Sequence, residues 1–400
     1  MVDLTGPFKD ALHIIRTIEC AGHQAYFVGG CVRDLILNRT IGDIDITTSA
    51  TPDVIQGLFA NVIPVGIEHG TVIVRYNKTS YEVTTFRVEG EYSDGRHPDS
   101  VSFIDQLDKD LERRDFTMNA LAMNKSGDIV DLFGGKADLK KRVIRTVGDG
   151  KKRFKEDPLR ILRALRFSSQ LGFDLSTETI QAIVSVKAEI EGLAVERITK
   201  ELEKLFAGDH VKMGLQYVSE LQIEEHLPVF QTYSPVEKFL HHIKPLHSLA
   251  EVICLLHQMN PDIDIRYIVK AWKCSNHTWK TAERLNEALE YGKIHGIDRW
   301  LAYLLLPDLH EAYCRLMDII NSNTIDCTLL HKLKAELPIS SRQEMLINGN
   351  DIIEMYPTRN RGPWIQKKLN ELEKQIVLGN INNEKSTLKD WVKWNPPEVN

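Results

Sequence analysis

The chain has 400 residues, 42% hydrophobic and 26% charged, which suits a soluble protein of two to four structural units with ample core. The net charge of −6 excludes a protein that is basic all over but allows a local basic patch. No stretch approaches the ~18 uninterrupted apolar residues of a membrane span, and the first residues lack a signal peptide's basic start and apolar run. The six cysteines form no C-x-x-C pair, so a zinc site is not expected and reduced thiols in a cytoplasmic protein are.

Helical apolar spacing predicts a first helix over residues 8–22. The stretch from Tyr26 to Ile46 then organises the chain. Tyr26-Phe27-Val28 reads as a strand, Gly29-Gly30 as a turn, the segment carrying Arg33 and Asp34 as a helix, and 43–46 as a second strand. Alternation along that strand would set Asp43 and Asp45 on one face and Ile44 and Ile46 on the other. Two carboxylates this close repel unless a cation relieves them. Mg²⁺ suits the place, because it prefers carboxylate oxygen and completes its shell with water and substrate phosphates. The twin glycines let backbone come close to a triphosphate.

Thr51-Pro52 predicts another helix start, and strands are expected at 71–75 and 80–88. If the second of these neighbours the aspartate pair, Glu82 supplies a third carboxylate, to complete a metal shell or to help deprotonate a hydroxyl. Residues 89–98 read as a loop. In Arg113-Arg114-Asp115, Arg114 reads as a phosphate clamp, and Asp115 and Asn119 as holders of ribose hydroxyls. Residues 136–166 carry twelve Lys and Arg against four Asp and Glu.

That basic run leads into Asp157-Pro158, which has the form of a helix cap followed by the first helical residue. Arg160 and Arg163 follow at three-residue steps, each lagging ~60° around the helix, so Asp157, Arg160 and Arg163 would share a curved stripe. Arg166 falls further along, suited to a phosphate or to RNA. One reading is a cap with solvated arginines. The other is a base reader: an acceptor (Asp157) beside a donor (Arg160) fits the edge shared by cytosine and adenine, an amino group next to an unprotonated ring nitrogen. Guanine and uracil present a carbonyl next to a ring N–H and are repelled. Beyond about residue 137 strand signals vanish. Helices are expected over 156–171, 176–190, 194–207, 209–220, 235–243 and 246–258, and onward to the end. His241, His242, His247 and His257 have no His-Asp pair beside them and read as core or surface residues.

Taken together, GGCVRD, DID, EVTTFR, RRDFTMNALA and EDPLRILRALRF resemble the bacterial-type (class II) CCA-adding tRNA nucleotidyltransferases over residues 25 to about 170. Gly362-Pro363-Trp364-Ile365 and Asn383-Glu384-Lys385 carry the likeness more faintly into the tail. The resemblance implies an α/β polymerase-β-like palm, a mixed sheet with helices, followed by an elongated all-α body. It divides the chain into a head (1–137), a neck that recognises the base (138–206), a body (207–262) and a tail that binds tRNA (263–400). The implied activity is template-independent addition of C, C and A to the tRNA 3′ end from CTP and ATP. By the same resemblance Asp43 and Asp45 hold Mg²⁺, and Gly30, Arg33, Arg114, Asp157, Arg160, Arg163 and Arg166 contact the nucleotide. The partner is the tRNA acceptor arm, with a homodimer left open. Poly(A) polymerases and CC- or A-only adding relatives are the alternatives. Asp94-Gly95-Arg96-His97 resembles the flexible loop of full CCA addition. His69 to Val74 lacks the arginine-rich strand of poly(A) polymerases.

Overall fold

A computed structural model describes residues 6–90, 100–233, 236–321 and 326–397, so the loop carrying Asp94 to His97 lies outside the described residues. The chain forms two units, Met1–Leu240 and His241–Asn400.

The first unit opens with α1 (Phe8–Cys20), whose Phe8, Ala11, Ile14, Ile15 and Ile18 recur on one face and are buried. Phe8 meets Phe27 of β1 (Ala25–Val28) edge to face, with centroids 4.9 Å apart. The chain continues through α2 (Gly30–Ile36), β2 (Asp45–Thr48), α3 (Pro52–Leu58), β3 (Val62–Gly66), β4 (Thr71–Tyr76), β5 (Thr79–Thr85), β6 (Arg87–Glu89), β7 (Val101–Phe103), α4 (Leu107–Glu112), β8 (Leu121–Met123) and β9 (Ile129–Asp131). Among the described residues, seven strands form one mixed sheet in the order β3-β4-β5-β2-β1-β8-β9. The β2–β5 pair is parallel and its neighbours are antiparallel. This is the expected α/β head.

The predicted strand at 43–46 begins two residues late. β1 ends where the chain turns at Gly29, so that ladder stops at Val28↔Asp45; the ladder with β5 also starts only at Asp45↔Glu82, and Asp43 and Ile44 pair with neither strand. The predicted strand at 80–88 breaks at buried Phe86. Its N–H is held by the Thr48 carbonyl at 2.7 Å, and β6 leaves to pair with β7 in a separate two-stranded sheet.

Helices then dominate: α5 (Gly135–Lys141), α6 (Gly150–Glu156), α7 (Leu159–Leu171), α8 (Thr177–Val186), α9 (Val195–Phe206), α10 (Val211–Glu220) and the short α11 (Val236–Phe239). Two strands interrupt them, against the expectation of none past residue 137. These are β10 (Val143–Ile144) and β11 (Asp174–Leu175), paired in parallel. Two residues are too few for alternation to show in a sequence. α7 is the spine of this part, packed against α9 and α10. Gly208, between α9 and α10, makes room for it, since a methyl group there would collide with Ser169.

The second unit is helical: α12 (Leu249–Met259), α13 (Ile265–Ala271), α14 (Asn276–His295), α15 (Arg299–Leu304), α16 (His310–Asn321), α17 (Thr328–Ala335), α18 (Gly349–Met355), α19 (Pro363–Val377) and α20 (Lys385–Trp394). Ile339, Ile347, Ile352, Leu372, Ile376, Leu388 and Val392 form a core of their own in its later half. One expectation fails here. Cys314 on α16 and Cys327 just before α17 are joined in a disulfide rather than standing as free thiols. A separation of 13 residues carries no local signature.

Candidate active site

Gly29 has φ +74° and ψ −128°, a conformation that side chains resist, and a Cβ there would lie 3.3 Å from Arg114 Nη1. That turn delivers α2, and with it Arg33, to the rim of a cleft of about 500 Å³ in the first unit. The cleft brings together Gly30, Arg33, Asp45, Arg114, Asp115 and Asn119 from the head with Asp157, Arg160, Arg163 and Arg166 from α7 and its cap.

The acidic side comes from strand register. Parallel pairing of β2 with β5 sets Asp45 directly beside Glu82. Burial, and then repulsion from Glu82, push the Asp45 carboxyl up to about 6; Arg114 pulls against this and Asp43 adds to it. Asp43 and Glu82 are exposed and do not line the cleft wall. Among the described residues no three His, Cys, Asp or Glu side chains close into a metal cage. An edge of carboxylates whose repulsion Arg114 only partly offsets still fits Mg²⁺, which uses one or two protein carboxylates and leaves its other positions to water and phosphate.

The basic side faces it. Arg33 donates to Asn119 Oδ1 at 2.7 Å and to the Asp34 carboxylate at 2.9 Å from both Nε and Nη2. Arg114 donates from Nη2 to Asp110 at 3.3 Å, while its enclosed Nε has no hydrogen-bond partner. Burial lowers the Arg114 pKa, with Asp110 opposing. Asp110 is fully buried and takes hydrogen bonds from Arg113 and Thr47 as well. Arg163 grips one oxygen of Asp115 at 2.8 and 2.6 Å, and the other oxygen accepts from Asn119 and from the Phe116 N–H. Burial would raise the Asp115 pKa, but Arg163 and these hydrogen bonds bring it down to about 2. Arg166 Nε sits 2.9 Å from Glu201, misaligned for a hydrogen bond, and burial pulls its pKa down to about 10. The Phe167 ring lies under Arg33, Arg163 and Arg166 at 5.2, 5.5 and 4.3 Å. Guanidinium groups held this close by acids behind them present concentrated positive charge, which suits a polyphosphate.

At the start of α7 the structure has the expected cap, while Arg160 and Arg166 are buried rather than solvated. Asp157 does cap the helix, accepting the Leu159 N–H at 3.1 Å. Its carboxylate is also fixed by Arg197 Nη2 at 2.9 and 3.2 Å, which leaves acceptor sites unused. Arg160 is buried and anchored through Nη1 to Glu156 at 2.8 Å and to the Arg153 carbonyl, and through Nη2 to the Arg113 carbonyl. Two of its five N–H groups remain unspent in these bonds.

Asp115 and Asn119, expected to hold ribose, line the cleft and also position Arg163 and Arg33. Sequence reasoning missed Phe167, read as one apolar residue in a basic motif, and Arg197, which reaches Asp157 across 40 residues. Nothing local to the start of α9 marks that arginine.

Residues 25–145 match the family described as "Poly A polymerase head domain", and residues 246–392 match "tRNA nucleotidyltransferase domain 2". The chain is 49% identical over 399 residues to the CCA-adding enzyme of Oceanobacillus iheyensis, covering 99% of this chain and 100% of that one. It is 41% identical over 397 residues to the CCA-adding enzyme of Bacillus cereus (strain 03BB102), covering 96% and 98%. The Bacillus stearothermophilus CCA-adding enzyme, solved in complex with CTP, superposes with a TM-score of 0.88 at 36% identity over 98% of both chains. The Thermotoga maritima CCA-adding enzyme shares the fold at 19% identity, with a TM-score of 0.63 over 99% and 97% of the two chains. With identity and coverage this extensive, the chain belongs to the CCA-adding enzyme family.

Proposed function

We propose that this enzyme extends the 3′ end of tRNA by C, C and A without a template, drawing on CTP and ATP. The observation that carries the reading is one cleft with three walls: Asp45, with Glu82 beside it in register but outside the lining, the arginines around Phe167, and the Asp157–Arg160 pair. A relative solved with CTP, at 36% identity, supports the nucleotide.

Each addition joins the tRNA 3′-hydroxyl to the α-phosphate of the incoming nucleotide and releases pyrophosphate. Two Mg²⁺ ions held by Asp43 and Asp45, beside Glu82, would supply the counter-charge for the triphosphate and favour ionisation of the attacking hydroxyl. Arg33, Arg114, Arg163 and Arg166 meet the triphosphate with charge-assisted hydrogen bonds, and the enclosed Arg114 Nε is a donor still to be satisfied. Asp157 accepts from the exocyclic amino group of cytosine or adenine, and Arg160 donates to the ring nitrogen. Arg197 and Glu156 hold the two in place, so the selection needs no template. On this reading the enzyme works in the cytoplasm; among the described residues no helix is long and apolar enough to cross a membrane.

The test is incorporation read at single-nucleotide resolution. Purified protein, Mg²⁺, tRNA lacking its 3′ end, and labelled CTP and ATP should give products one, two and three nucleotides longer, in the order C, C, A. A long A tract would point to a poly(A) polymerase, and a stop after CC or a lone A to a partial adder. No incorporation of C or A overturns the proposal.

A further inference from the structure

The second unit contains a cleft of about 660 Å³ that the reaction above does not use. One wall is α19. Its Trp364, Lys367, Lys368 and Lys374 recur at steps that keep them on one side, while Leu372, Ile376 and Val377 go into the unit's core. Trp391 of α20 forms the opposite wall, and Arg359 reaches in from the turn before α19. Four cations therefore line the cleft against one acid, Glu371, which is engaged by Lys368 Nζ at 2.5 Å. Each indole carries a cation: Arg359 is 4.9 Å from the Trp364 centroid, and Lys368 Nζ is 5.4 Å from that of Trp391.

Aromatic faces together with long-chain cations match one class of ligand. A nucleobase offers a π-face, and the phosphates on either side of it offer anions. Stacking of a base on an indole is stronger than a half-exposed cation–π contact, so a base can displace the cation. The long Arg and Lys side chains then reach the flanking phosphates and keep their charges paired. An acidic peptide would use the cations but would leave the indoles idle. We propose that this cleft holds an unpaired base of the RNA, stacked on Trp364, with the cleft's cations on the adjacent phosphates. This second grip on the substrate rests on the tRNA reading above and adds a place and a chemistry to it.

The experiment uses the full chain and fluorescently labelled tRNA lacking its 3′ end, with binding followed by anisotropy. Trp364→Leu should weaken binding about tenfold, and Trp364→Phe, which keeps a stacking face, by less than about threefold. Lys367→Glu should weaken binding and make its salt dependence shallower by about one unit in log–log slope. CTP affinity should be unchanged in all three, because every residue of the nucleotide cleft belongs to the first unit. Trp364 also packs against a core, so a second readout guards against misfolding: tRNA should quench the tryptophan fluorescence of the unsubstituted protein, and Trp364→Phe should lose that component. Loss of affinity in Lys367→Glu alone would mean a purely electrostatic contact and would overturn the stacking proposal. So would wild-type binding and quenching in the Trp364 variants. If the unsubstituted protein fails to extend tRNA, the functional reading falls instead, and the two failures stay separate.

Discussion

Asp157 is where a single carboxylate decides the most. It accepts a backbone N–H, two bonds from Arg197, and on our reading the amino group of the incoming base. Asp157→Ala should keep transfer but lose the preference for C and A over G and U. A bidentate base contact is worth about 1–3 kcal/mol of discrimination, so the ratio of kcat/KM for CTP over UTP should fall by about 5- to 150-fold. Unchanged selectivity in a competition assay would refute the role. Asp115 poses the complementary case, a residue that works by holding another. Its carboxyl is brought from the usual 3.8 down to about 2, against burial, chiefly by Arg163. A depressed carboxylate stabilises the fold above its unfolded pKa, and that contribution drains away as pH falls through the folded value. Asp115→Asn should therefore cost about 2 kcal/mol at pH 7, with the difference from wild type shrinking between pH 4 and 2 in urea titrations. A difference that stays constant down to pH 2 would mean the ion pair is not its source.

Among the elements, local order was legible where the signal is local, and became obscure where packing decides. The GG turn, the α7 cap and the amphipathic helices each announce themselves within a few residues; α7, α9 and α10 lie within about three residues of where expected, while α8 and α11 end four residues early. The start of β2 was misread because alternation continues back to Asp43 in the sequence, whereas the ladders with β1 and β5 both reach only to Asp45. Of the acids behind the arginine wall, Asp110 and Glu156 stand three or four residues from their arginines and were open to a local reading, whereas Glu201 meets Arg166 only once α9 packs on α7. Gly29 shows how an element boundary can serve the site. Gly29→Ala forces a side chain into a positive φ and toward Arg114 Nη1 at 3.3 Å. A loss of about 1–3 kcal/mol in stability is expected, together with a raised KM for CTP, since the arginine must move. Normal stability and KM would show that the turn accepts a Cβ. The Cys314–Cys327 link closes a short loop from within α16 to the residue before α17, and the entropy removed from the unfolded chain sets the scale of its effect at about 3 kcal/mol. Cys327→Ser should melt earlier than wild type under oxidising conditions and together with it in dithiothreitol. Coincident melting in both conditions would show that the link adds nothing.

For the whole molecule, the division of labour follows from where the charges sit. A chain of net charge −6 handles two polyanions, so its cations have to be concentrated, and the nucleotide cleft takes its arginines from the head and from α7 and α9. Every residue of that cleft lies between Gly29 and Arg197, inside the unit that ends at Leu240. The second unit has a core of its own and supplies none of them. Nucleotide binding should therefore separate from RNA binding when the chain is cut between the units. A fragment of residues 1–240 that retains native-like circular dichroism should bind CTP within about threefold of the full chain by calorimetry, a difference of under about 1 kcal/mol. The same fragment should lose at least about tenfold in tRNA affinity, because the cations and indoles of the second unit go with the missing half. If the folded fragment binds CTP much more weakly, the second unit must shape the nucleotide cleft, and the assignment of base selection to Asp157 and Arg160 alone would have to be given up. If it binds tRNA as tightly as the full chain, the helical second unit has no part in gripping the substrate.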